Sequence, residues 1–180
     1  MKKLLMIIPL VILLCFTFGC QDKEAMAELE EFRAQKEVEE QNKELVKREW
    51  EAWNKGDFET FKELLAPDYA CYFPSGSTTP MSQEENIEVR KMLQKAFPDI
   101  SWSMEELIAT EDKVIIRCIE RGTHEGEYMG IPATGNKYES SEISIRRIEN
   151  GKVVECWEQL DLLGLMQQLG MELKPKEAEK

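Results

Sequence analysis

After Pro98 the chain reads as strand four times in succession, and as helix again only from residue 162. The runs are 100–109, 114–123, 137–148 and 153–160. Glu111-Asp112 and Asn150-Gly151 mark turns between them, and Asn-Gly is a strong hairpin signal. Strands joined by tight turns pair antiparallel, whereas parallel neighbours need a crossover connection. With helical periodicity upstream and strands downstream, the chain is α+β rather than an alternating βαβ pattern. The expectation is a curved antiparallel sheet wrapped around N-terminal helices, with an internal cavity suited to a small molecule.

The upstream helices follow from spacing and caps. Val46, Trp50 and Trp53 recur at helical spacing and end at Asn54-Lys55-Gly56. Asp57 is placed to cap a second helix over 58–65, which Pro67-Asp68 breaks. Residues 69–73 read as a short strand. Ser82 and Glu85 form a capping box that opens a helix through Phe97, with Val89, Met92, Leu93, Ala96 and Phe97 as its buried face. A last helix, 162–169, stops at Gly170.

The termini carry different information. Lys2-Lys3, an apolar run from Leu4 to Leu14, and Thr17-Phe18-Gly19-Cys20 look like a bacterial lipoprotein signal. Cys20 is then the lipidated residue, and the protein is expected at the cell membrane, anchored through an N-terminal lipid on the extracytoplasmic face. An ordinary secretory signal and an N-terminal anchor helix are the alternatives. Residues 21–44 read as a charged helical tether, 45–171 as the domain and 172–180 as a polar tail. The formal charge of −12 becomes more negative without residues 1–20, which argues against a nucleic-acid partner. Cys71, Cys118 and Cys156 lack CxxC spacing, so no metal site is expected, and one disulfide at most.

Four segments carry a resemblance: EAWNKGDFETFKELLAPDY, AFPDISWSMEELIATEDKVIIR, RGTHEGEYMGIPATG and RRIENGKVVECWEQLDLLGLMQQLG. They occur in the order found in SnoaL-like polyketide (ester) cyclases, of the nuclear transport factor two-like superfamily of curved-sheet cones. The resemblance covers about residues 45–171. It implies aldol-type ring closure, or a related proton abstraction, on a small apolar carbonyl compound, with no metal or organic cofactor. It also implies a homodimer formed through the open sheet face. By the W-x-x-x-D spacing, the family's acid/base aspartate falls on Asp161. A histidine that these cyclases commonly carry after the first strand's Asp-Tyr has no counterpart in Tyr69-Ala70-Cys71-Tyr72-Phe73.

Alternation along 153–161 puts Trp157, Gln159 and Asp161 on one face, and Cys156, Glu158 and Leu160 on the other. Trp157 and Gln159 are read as cavity lining beside a catalytic Asp161, although the same position suits an N-cap of the last helix. His124 is the chain's single histidine and is either a hydrogen-bond partner in catalysis or a structural residue. Tyr128 and Met129, in the glycine-rich stretch after it, are read as a flap over the cavity mouth. Tyr72 could offer a hydroxyl. Glu158 is a third acidic candidate, and Arg147 is read as an ordinary ion-pair partner across the hairpin. The competing reading is a non-catalytic lipid-anchored module that binds a small molecule.

Overall fold

The computed structural model describes residues 2–172 and 174, with side chains from residue 23 onwards. The signal-like stretch, and Cys20 with it, lies outside the described side chains. Two compact units divide the chain, Met1–Val38 and Glu39–Lys180. The second carries everything discussed below. Among the described residues no helix is long and apolar enough to cross a membrane.

The elements are α1 (Lys2–Lys55), α2 (Phe58–Leu64), β1 (Leu65–Tyr72), α3 (Gln83–Ala96), β2 (Ser101–Thr110), β3 (Lys113–Thr123), β4 (Lys137–Glu149), β5 (Lys152–Leu160) and α4 (Leu162–Gln168). Within the second unit, Glu39, Asn42, Val46, Glu49 and Trp50 of α1 are buried, at the spacing of one helix face. Asp57 caps α2 by accepting from the Thr60 amide, and Ser82 and Glu85 make the reciprocal capping box of α3. Asn150 and Gly151 both adopt positive φ in the β4–β5 turn, as the hairpin requires.

The five strands form one sheet in the order β1-β5-β4-β3-β2. All neighbours are antiparallel except the edge pair β1–β5, which is parallel. The expected all-antiparallel sheet is corrected at that edge. β1 also begins earlier than expected. Pro67 disfavours helical backbone in the residue before it, so the chain is extended from Leu65, which caps α2. A proline donates nothing to a ladder and is tolerated on such an edge strand.

Two groups of buried residues hold the unit together. One gathers Val46, Trp50, Phe97, Trp102, Ile116, Tyr138, Leu160 and Leu165 between α1, α4 and the sheet. The other packs Ala52, Phe61, Leu65, Ile87 and Val153 around β1. The expected buried face of α3 is only partly buried: Ala96 and Phe97 are, whereas Met92 is exposed. Asn86 and Arg90 are buried in its place. Asn86 donates to the Tyr69 hydroxyl at 3.1 Å, and Arg90 donates to the Trp53 carbonyl with its guanidinium 4.8 Å from the Trp102 ring centre.

Candidate functional site

A cavity of about 250 Å³ opens between the helices and the inner face of the sheet. Trp50 and Trp53 of α1, Val89, Met92 and Leu93 of α3, and Trp102, Phe73 and Leu160 give it apolar walls. The α3 residues expected in the core thus line this space. Its charged groups come from the sheet, with Asn86 of α3 beside them: Glu120 of β3, Glu142 and Arg146 of β4, and Glu158 of β5. These even-numbered side chains share the inner face because successive residues of a strand point to opposite sides.

Each carboxyl group has a distinct setting. Glu120 accepts from Trp102 Nε1 at 2.8 Å and from the Tyr138 hydroxyl at 2.7 Å. Burial pushes its pKa up, against those two hydrogen bonds. Glu158 pairs with Arg146 Nη2 at 3.1 Å. Glu49, reaching in from α1, lies 3.4 Å from Arg146 Nε, close enough for an ion pair but out of line for a hydrogen bond. Burial raises the Glu49 pKa, with Arg146 opposing. Glu142 is 8 % exposed and has no hydrogen-bond partner among the described residues. Burial, and after it the charge of Glu158, hold its pKa well above the carboxylate range. A carboxyl group with a raised pKa donates a hydrogen bond while protonated and is a stronger base once ionised.

The sequence candidates fall in different places. Tyr128 and Met129 line the cavity, as the flap reading expects. Tyr128 packs edge-on against Phe97 at 5.1 Å, and Met129 is 63 % exposed in a turn closed by Tyr128 and Ile131. The flap's base sits on α3, where the amides of Glu125 and Gly126 both donate to the Ala96 carbonyl. A Cβ on Gly126 would meet the Lys95 carbonyl oxygen at 2.3 Å, so this glycine permits a close backbone approach. His124 is fully buried on the inner face beside Phe97. Its Nδ1 lies 3.1 Å from Thr134 Oγ1, its Nε2 has no hydrogen-bond partner among the described residues, and it is not among the cavity-lining residues.

Trp157, Gln159 and Asp161 share a face, as alternation predicts, but it is the outer face. Trp157 stacks on Tyr72 at 5.8 Å, Gln159 accepts from the Ser75 hydroxyl, and the Asp161 carboxylate caps α4 through the Gly164 amide at 2.9 Å. The structure therefore does not bring Asp161 and His124 together at the cavity, nor Tyr72 with Gln159. Glu158 faces the cavity, opposite to Asp161. Arg147 pairs with Glu155 across the β4–β5 hairpin. Sequence reasoning missed Glu120, Glu142 and Arg146. The available signal was a row of polar residues, Ser140, Glu142, Ser144 and Arg146, alternating with Ile143 and Ile145.

The SnoaL-like polyketide cyclase family matches residues 43–169 of the chain. Aklanonic acid methyl ester cyclase DauD of Streptomyces sp. (strain C5) is 29% identical over 137 residues, covering 70% of this chain and 80% of that protein. Among solved structures, IdmH from Streptomyces antibioticus, named as a polyketide cyclase, is 34% identical with a TM-score of 0.64, covering 72% of this chain and 99% of that one. AclR from Streptomyces galilaeus, named as a hydroxylase, is 29% identical with a TM-score of 0.66, covering 73% and 97%. The match over most of the chain, with the fold shared with IdmH, places this protein in the SnoaL-like polyketide cyclase family.

Proposed function

We propose that the chain is an ester cyclase-type enzyme, performing cofactor-free acid/base chemistry on a small apolar carbonyl compound. The observation that carries this reading is Glu142, a carboxyl group with no hydrogen-bond partner among the described residues, its pKa raised, in a cavity with apolar walls. The ionised form of Glu142, made a stronger base by its raised pKa, takes the proton from a carbon next to a carbonyl. Glu120, held by Trp102 and Tyr138 and favoured in its protonated form by burial, donates its carboxyl proton in a hydrogen bond to the developing enolate oxygen. The enolate carbon closes on a second carbonyl of the same molecule, and the new alkoxide recovers the proton from Glu142. The aromatic walls exclude water from the anion. The sequence likeness to a protein named as aklanonic acid methyl ester cyclase supports an aromatic polyketide ester as the first compound to try.

The test is incubation of the chain with aklanonic acid methyl ester, followed by chromatography. Turnover in the parent and a loss of about 10²–10⁴-fold in Glu142→Gln supports the reading. Quenching of tryptophan fluorescence without turnover supports the binding module instead. Neither binding nor turnover of this ester or simpler enolisable esters sinks both.

Two partners belong to the same proposal. A second copy of the chain docks on the outer sheet face, supported by the apolar row Ile108, Ile115, Ile145, Trp157 and Tyr72, neighbours in register across all five strands. A membrane holds the protein through lipid on Cys20, at the extracytoplasmic face, supported by the N-terminal sequence. Incorporation of labelled palmitate, lost in Cys20→Ser, tests the second.

A further inference from the structure

Cys71 and Cys156 face each other across the parallel edge of the sheet. They are register partners in the β1–β5 pair, and both are fully buried. Their sulfurs and a Glu158 carboxylate oxygen all lie within 4.8 Å of one another. Adjacent strands run about 4.8 Å apart, inside the Cα separation of roughly 4.4–6.8 Å that a disulfide spans. Cys118 is excluded from such a bond because β4 lies between its strand and β5. The same trio has a spacing that a metal ion could use. However, Arg146 Nη1 donates to Cys156 Sγ at 2.7 Å, and a guanidinium in that position repels a cation.

We propose that Cys71 and Cys156 are a modification site: a cross-strand disulfide that staples the edge strand to the sheet. Burial pushes the Cys156 thiol pKa up, so the closed sheet protects it from reaction. β1 provides access. It is an edge strand, bridged on its far side at Cys71–Met81 and tied to α3 through Gln83 and Asn86, and its ladder to β5 is irregular between Leu65 and Ala70. With β1 open, the Cys71 thiolate attacks a low-molecular-weight disulfide such as oxidised glutathione, forms a mixed disulfide and expels one glutathione thiolate. The Cys156 thiolate then attacks the Cys71 sulfur. The Cys71–Cys156 bond forms and the second glutathione thiolate leaves. Two electrons reduce the oxidant's sulfur–sulfur bond, and the two cysteine protons end on the glutathione thiols.

The bond reaches the cavity through one lost hydrogen bond. Cys156 Sγ donates to Glu158 Oε1 at 3.2 Å in the free-thiol form. Oxidation removes that donor and leaves Glu158 to Arg146.

The test refolds the purified chain in mixtures of reduced and oxidised glutathione, alkylates the remaining thiols under denaturing conditions and maps the peptides by mass spectrometry. The expected result is a linked pair of peptides containing Cys71 and Cys156, with Cys118 alkylated and both target thiols lost to alkylation. Cys71→Ala should abolish the link. If that variant fails to fold, the map of the parent chain decides alone. Full alkylation of Cys71 and Cys156 at every glutathione ratio overturns the proposal, and so does a link through Cys118. Protection of both thiols by stoichiometric zinc, with no linked peptide, overturns it in favour of a metal site.

Discussion

Each face of the sheet carries residues that the other face would ordinarily hold. The inner face carries Glu120, Glu142, Ser144, Arg146 and Glu158, while the outer face carries an apolar row from Ile108 to Tyr72 with Ile143 beside it. Ile108 and Ile143 are 53 % and 52 % exposed. A sheet that covers an ordinary core buries its apolar side and solvates its polar side. Here the inner face adds a polar cluster around the cavity to its buried apolar residues, and the outer face carries an apolar row among its charged ones. Charged pairs flank the outer row, Arg117–Glu106 and Arg121–Glu139 among them. These exposed pairs add little stability but discourage random association.

The largest expected effect breaks the inner face. Arg146→Met leaves Glu49 and Glu158 buried without their counter-ion, and denaturant unfolding should show a loss of about 3–5 kcal/mol. An unchanged midpoint would mean that the charge cluster is not load-sharing. On the outer face, Trp157→Ala should weaken self-association by about 2 kcal/mol or more, read by sedimentation, with turnover per subunit retained. A parent chain that sediments as a monomer at all concentrations would remove the reason for the apolar row.

Proton linkage sharpens the comparison further. Glu49, Glu120 and Glu142 have raised pKa values in the folded state, so folding takes up protons above the ordinary carboxylate range. Their stabilising contribution is fully present below their unfolded values near 4.5 and is lost as pH rises through the folded ones. Stability should fall by about 1.4 kcal/mol per pH unit for each such group over its own window. Glu142→Gln should flatten the curve, and an unchanged slope would contradict the protonated carboxyl. The smallest effect belongs to Asp161→Ala. Loss of the α4 cap should cost about 1 kcal/mol and leave turnover intact. A collapse of turnover without loss of stability would return Asp161 to the chemistry.

The architecture was legible because it rests on local signals. The Asn150-Gly151 turn, the Ser82–Glu85 box and the Pro67 break each act within a few residues, and β2 to β5 lie within a residue of their expected ends. The parallel edge pair was not legible, since nothing in residues 69–73 says which strand they join. The site was half legible. Alternation correctly separated Glu158 from Asp161, but choosing the inner face requires knowing what the sheet encloses. Isoleucines on β4 pointed outward, and periodicity alone assigns them to a core. Glu142 becomes a candidate only when Glu158 from the next strand and Arg146 are seen beside it, a long-range relation.

The turn between β2 and β3 has one further implication. Glu111 holds positive φ there, an uncommon conformation for a residue with a side chain. Its carbonyl accepts from Asn42 Nδ2 at 3.2 Å, and its amide donates to Glu39 Oε1 at 3.4 Å. A helix that is nominally a spacer therefore acts as a clasp on the far hairpin. Proteolytic trimming as far as residue 45 would release that clasp while sparing every cavity residue, so the hairpin tip would fray and exchange its amides first.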